Sequence, residues 1–100
     1  MKKIPAILVL CALGLPGIGA HAQVEQVKVW AAACANCHGT DGRAQPGMIP
    51  LAGRGAADLT RAMMEFKAGT RPATIMHQLS KGYSDEQIQQ LAAYFAAQKP

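Results

Sequence analysis

Two thiols and an imidazole stand together in the stretch Cys34-Ala35-Asn36-Cys37-His38. On a helical turn, residues three apart share one face, so both thiols point the same way. Cys-x-x-Cys-His at this spacing is the attachment signature of a c-type haem. Each thiol can add across a vinyl group of one porphyrin edge and leave a thioether. His38, one residue on, is placed to bring an imidazole nitrogen to the iron. The residues therefore predict one covalent haem c, attached by Cys34 and Cys37 and ligated by His38.

An iron held by His38 has one further axial position. Met48, Met63, Met64, Met76 and His77 are the candidates beyond it. Met48 follows closely, in a loop on the His38 side. Met63 and Met64 fall mid-helix, where a methionine more often fills core. Met76 comes after a Gly69-Thr70-Arg71-Pro72 break that can carry the backbone over the opposite face, and it is the preferred ligand. His77, adjacent on a helix, points elsewhere and reads as a surface histidine or the neighbour of a propionate. A thioether ligand stabilises reduced iron, raises the potential and blocks outside ligands, which suits a centre that moves electrons. The competing arrangement packs Met76 in the core and leaves the sixth position open or taken by His77. An open site suits a haem sensor or a peroxidase.

Three other uses of the motif fit less well. A dithiol redox site needs a thioredoxin-like βαβ setting, and no strand pattern is visible. A zinc site needs four ligands, yet Cys37 and His38 are adjacent and few other thiols or imidazoles follow. A Cys34–Cys37 disulfide leaves His38 and the glycine- and proline-rich loop after it unexplained.

The first residues carry an address. Lys2 and Lys3 precede an apolar run from Ile4 to Leu15, and Ala20-His21-Ala22 has the small-x-small form of a signal peptidase site. The run is broken by Pro16 and Gly17 and is shorter than the ~20 residues of a membrane span. Cys11 is preceded by the bulky Leu10, which does not suit a lipoprotein site. The expectation is a cleaved signal peptide over residues 1–22, export to the periplasm, and a domain over residues 23–100 with no membrane insertion. Cleavage would leave Cys34 and Cys37 as the only thiols and lower the formal net charge from +4 to about +2, since Lys2 and Lys3 go. Two haem propionates would bring that close to zero. The basic pI of 9.2 is then no argument for a nucleic-acid partner. A domain this small, with no disulfide, usually needs a staple, and a covalent haem would be one.

The elements that must position these groups read as helices. Val24 to Cys34 carries Val27, Trp30, Ala31 and Cys34 on one apolar stripe, leading into the motif. Gly39 and Thr40-Asp41-Gly42 end that helix, and residues 43–55 form an irregular loop around Pro46, Gly47, Pro50 and Gly53. A long loop in so small a domain should wrap something, and a haem face is the natural object. Ala56 to Lys67 is a second helix with Leu59, Met63 and Phe66 inward and Asp58, Arg61 and Glu65 toward water. A short third helix starts at Pro72 and ends near Lys81-Gly82. Ser84 and Gln87 form a capping box for the last helix, whose buried stripe is Ile88, Leu91, Ala92 and Phe95 with Tyr94 at its border. The fold class is all-α, three to four helices with loops wrapped around one haem.

At this point the sequence resembles a class I cytochrome c over nearly all of residues 24–98. The similarity rests on Cys34-Ala35-Asn36-Cys37-His38-Gly39, on Ile49-Pro50-Leu51-Ala52-Gly53, and on Phe66-Lys67 through Gly69 and Arg71 to Met76. Ser84-Asp85-Glu86-Gln87-Ile88, and Trp30 with Leu91 and Tyr94 at a crossing of first and last helices, complete it. The resemblance implies a cytochrome c-like fold and a Pro50 carbonyl on the other ring nitrogen of His38, fixing tautomer and orientation. Beside the methionine arm, Arg71 is the best candidate for a propionate contact and Tyr83 a weaker one. Arg71-Pro72-Ala73-Thr74-Ile75-Met76 and Lys81-Gly82-Tyr83-Ser84-Asp85 are similar to the haem domains of flavocytochrome c sulfide dehydrogenase and to single domains of dihaem periplasmic cytochromes. Only one Cys-x-x-Cys-His is present, which is one domain's worth. The resemblance implies an electron carrier rather than an enzyme in its own right. Its partners would be redox proteins: a flavoprotein or cytochrome as donor, an oxidase or cytochrome as acceptor. A dedicated subunit of a sulfide-oxidising flavoprotein dehydrogenase is the alternative.

Overall fold

A computed structural model describes residues 18–100. The expected signal segment falls largely outside the described residues, and the expected cleavage point after Ala22 falls within the first helix. That helix, α1, spans Ile18–His38; α2 spans Ala56–Ala68, α3 Met76–Ser80 and α4 Asp85–Ala96. A single 3-10 turn, Thr40–Gly42, follows α1. Among the described residues there is no strand, and no helix is long and apolar enough to cross a membrane.

The core lies where α1 and α2 meet α4. Val27 and Ala31 of α1, Leu59 of α2, and Leu91, Ala92 and Phe95 of α4 are buried together, with Trp30, Cys34, Leu51, Tyr83 and Tyr94 packed against them. The six buried residues all lie on the expected helical stripes, because a short amphipathic helix gains stability mainly by burying one face, whereas Met63 and Phe66 of the α2 stripe are only partly buried. The α4 start is as expected. Ser84 Oγ accepts from the Gln87 N–H at 3.1 Å, and Gln87 Oε1 accepts from the Ser84 N–H at 2.8 Å. This box satisfies two otherwise unpaired donors of the first turn. At the end of α2, Gly69 turns left-handed (φ 78°), and the Thr70 N–H closes onto the Glu65 carbonyl at 2.9 Å.

The third helix differs from expectation. It begins at Met76, with Ile75 as its cap, and residues 70–75 are a non-helical arm. A proline disfavours helical geometry in the residue before it, here Arg71. The Arg71 carbonyl, which would otherwise accept the first helical bond, instead accepts a hydrogen bond from the His77 ring.

One contact fastens α4 to the turn after α1. Tyr94 donates its hydroxyl to Asp41 Oδ1 at 2.6 Å, and Arg43 lies 3.5 Å from the same carboxylate. The hydrogen bond to Asp41 is the main reason that the Tyr94 hydroxyl titrates above its ordinary value of 10.0, with burial adding to it. Because the folded value is raised, the native state holds this proton more tightly than the unfolded chain. The resulting stabilisation is complete below about pH 10 and is lost as pH rises through the raised value. Tyr94→Phe is expected to cost about 1 kcal/mol at neutral pH, less than a buried bond to a charged group because both partners are partly exposed. It should also flatten the alkaline fall in stability. Urea midpoints for both chains at pH 7 and above pH 10 check this; parallel pH profiles would rule out the bond as the cause.

Candidate haem-binding site

Two glycines set the geometry that follows α1. Gly39 has φ 79°, and a Cβ there would stand 2.0 Å from the Arg43 carbonyl oxygen, so no other residue fits. Gly42 has φ 79° and is buried; its Cβ would meet Ala52 N at 2.8 Å. The Gly42 carbonyl accepts from both Leu51 N (2.9 Å) and Ala52 N (3.1 Å). That fork folds the loop back toward the motif and brings Ile49 beside His38.

His38 Nδ1 donates to the Ile49 carbonyl at 2.6 Å. A carbonyl only accepts, so Nδ1 carries the proton and Nε2 is the nitrogen available to a metal. The acceptor is thus one residue before Pro50, which corrects the expectation of a Pro50 carbonyl. Pro50 acts indirectly: the residue preceding a proline is driven to extended geometry, which favours an outward-facing Ile49 carbonyl.

The thiols are not joined to each other. Cys34 is half-buried, its Sγ 3.9 Å from the Trp30 carbonyl, and burial pushes its thiol above the ordinary range. Cys37 is exposed. Cys34 opens on an apolar cavity of about 110 Å³ shared with Leu59, Met63, Tyr83 and Phe95. Cys37 and His38 open on a cleft of about 350 Å³ shared with Met48, Ile49 and Phe66. Met76 and Leu79 line both.

The surface around this cleft is unusually apolar. Met48, Ile49, Ile75 and Leu79 all line it and are between 46% and 61% exposed. Apolar side chains gathered round one concave site mark a binding surface rather than ordinary scatter. Two thiols on one helical face, an oriented imidazole and an apolar cleft fit a covalently held porphyrin. The remaining methionines sort themselves by contact. Met63 lines the inner cavity, but its sulfur accepts a hydrogen bond from the fully buried Ser80 hydroxyl at 3.5 Å. Met48 lies on the loop that carries Ile49, and Met64 lines neither cavity.

Arg71 is placed differently from the expectation of a propionate contact. Its Nε donates to Glu65 Oε2 at 2.8 Å, its guanidinium lies 5.6 Å from the centre of the Phe66 ring, and it lines neither cavity. The carboxylate and the aromatic face of α2 draw it away. Glu65 is accordingly half-buried instead of facing water. Tyr83 lines the inner cavity, where burial first, and the neighbouring Cys34 second, raise its hydroxyl above 10.0. Two contacts lay beyond sequence reading, the Ile49 carbonyl and the ring of His77 on Arg71. The acceptor is in both cases a backbone atom, which leaves no trace in residue type; only the position before a proline hints at either.

Comparison with known proteins agrees with this arrangement. Residues 22–95 match the family described as cytochrome C oxidase, cbb3-type, subunit III. The chain is 37% identical over 106 residues to cytochrome c4 of Azotobacter vinelandii, covering 94% of this chain and 50% of that one. It is 39% identical over 62 residues to the cytochrome subunit of sulfide dehydrogenase from Chlorobaculum tepidum, covering 62% of this chain and 56% of that one. The cytochrome c4 structure from Acidithiobacillus ferrooxidans superposes with a TM-score of 0.66 at 28% identity, over 84% of this chain and 52% of that chain. This chain spans about half the length of these relatives.

Proposed function

The chain belongs to the cytochrome c family, whose members transfer electrons with covalently bound haem c, and from that membership we propose that it is a periplasmic one-electron carrier with a single haem, attached through Cys34 and Cys37 and axially ligated by His38 and Met76. The observation that carries the ligand assignment is that His38 and Met76 line one cleft, with His38 already oriented by the Ile49 carbonyl. The bound group would supply a metal centre that gains and loses one electron without bond making. The protein's own residues do the rest. The Ile49 carbonyl fixes the imidazole tautomer and makes His38 a stronger donor. Phe66, Ile75 and Leu79 give the cleft an apolar wall, and a thioether in the sixth position would favour the reduced state. The single Cys-x-x-Cys-His supports one haem in this stretch. Carbon monoxide tests the reading: the ferrous protein should give no shift in its absorption spectrum. Ready binding would favour an open-site sensor or peroxidase instead.

The similarity to a cytochrome subunit of sulfide dehydrogenase favours one second reading, that of a dedicated acceptor for a flavoprotein donor. Pulldown of the protein from a periplasmic extract, with mass spectrometry of what it retains, separates the two. A stoichiometric flavoprotein would select the subunit role.

A further inference from the structure

The arm that carries Met76 to the cleft is held at its two ends. Pro72, Ala73, Thr74, Ile75 and Met76 form one wall of the cleft, whereas Arg71 does not line it. Among the described residues, the backbone N–H groups of Ala73, Thr74 and Ile75 enter no hydrogen bond. The arm is therefore fixed by whatever fastens residues 71 and 77. His77 Nε2 donates to the Arg71 carbonyl and closes the loop between them. Arg71 is itself tied to Glu65 at 2.8 Å, and both Arg71 and the His77 ring, 6.2 Å centre to centre, lie against Phe66. Loop and helix are thus joined through one aromatic ring and one ion pair.

We propose that His77 is a positioning residue for the redox centre: its ring N–H, donated to the Arg71 carbonyl, clasps the arm so that Met76 stays against the cleft, a role that rests on Met76 being the sixth ligand. An unclasped arm still belongs to the fold, because α3 keeps its own packing on α2, but it opens more often. Opening exposes the iron to outside ligands in proportion to the population of the open form.

The test uses the oxidised holoprotein with His77→Phe, which keeps a ring against Phe66 but removes the donor, and His77→Gln, which keeps an N–H donor without the ring. In His77→Phe, amide hydrogen exchange at Gln78 and Leu79, whose N–H groups close on the Ile75 carbonyl of the arm, should quicken about fivefold and imidazole affinity should rise about fivefold, the effect of losing one net hydrogen bond. His77→Gln should stay within about twofold of wild type in both. Wild-type exchange rates in His77→Phe, or equal loosening in both variants, would overturn the clasp. Faster exchange in His77→Phe with unchanged imidazole affinity would keep the clasp and remove Met76 as the ligand it serves.

Discussion

A chain carrying Cys34→Ser and Cys37→Ser is expected to lose most of its helix content and its cooperative unfolding. The double change removes no more than two sulfur atoms from the protein itself, so the reason lies in what they hold. The buried core at the helix crossing is small: two of its six members are Ala31 and Ala92, and only Phe95 is aromatic. No disulfide joins the elements among the described residues. The inner cavity beside Cys34 borders this core directly, through Leu59, Leu91, Ala92 and Phe95. With a covalent group seated there, these side chains pack on both of their faces; without it they line a void, and each missing contact lowers stability. Domains of this size rarely hold together on a core alone. Far-ultraviolet circular dichroism and thermal melts of the double variant, expressed alongside wild type, provide the measurement. A well-folded, haem-free double variant with a sharp melt would show that the frame stands on its own helices.

How far such a frame can be read from sequence depends on the range of the interaction. The Ser84–Gln87 box and the Ile88, Leu91, Ala92 and Phe95 stripe are local, set within four residues or by a helical period, and both are where spacing puts them. The motif itself is equally local, since Cys34, Cys37 and His38 share the last turn of one helix. The start of α3 lies later than its expected position at Pro72 because proline has two meanings: it suits a first helical turn, yet it also disfavours helix in its predecessor. Here the His77 ring decides the matter by taking the Arg71 carbonyl. The partners of His38 and Arg71 are set by a loop closing over distance, and charge alone gave no way to prefer a propionate over Glu65 for Arg71.

The proposed ligand set makes its largest functional prediction at Met76. Met76→Ala should leave the fold almost intact, because alanine is the best helix former and position 76 opens α3. The redox centre should change in three linked ways. The potential should fall by at least about 59 mV, one decade in a one-electron equilibrium, because the ligand that favours reduced iron is gone. Carbon monoxide should now bind the reduced protein, and imidazole should bind the oxidised protein far more tightly than it binds the parent. The weak long-wavelength band of a methionine–ferric pair should vanish. Met63→Ala and Met48→Ala are the controls that give the result its meaning. Met63 faces the same inner cavity as Met76, but its sulfur is occupied by the Ser80 hydroxyl, and Met48 stands on the loop that already serves His38. Both controls should keep the parent potential and remain closed to carbon monoxide. If instead Met63→Ala lost the band while Met76→Ala kept it, the iron would be ligated from α2, and the arm over residues 71–76 would be a wall of the cleft rather than the carrier of its sixth ligand.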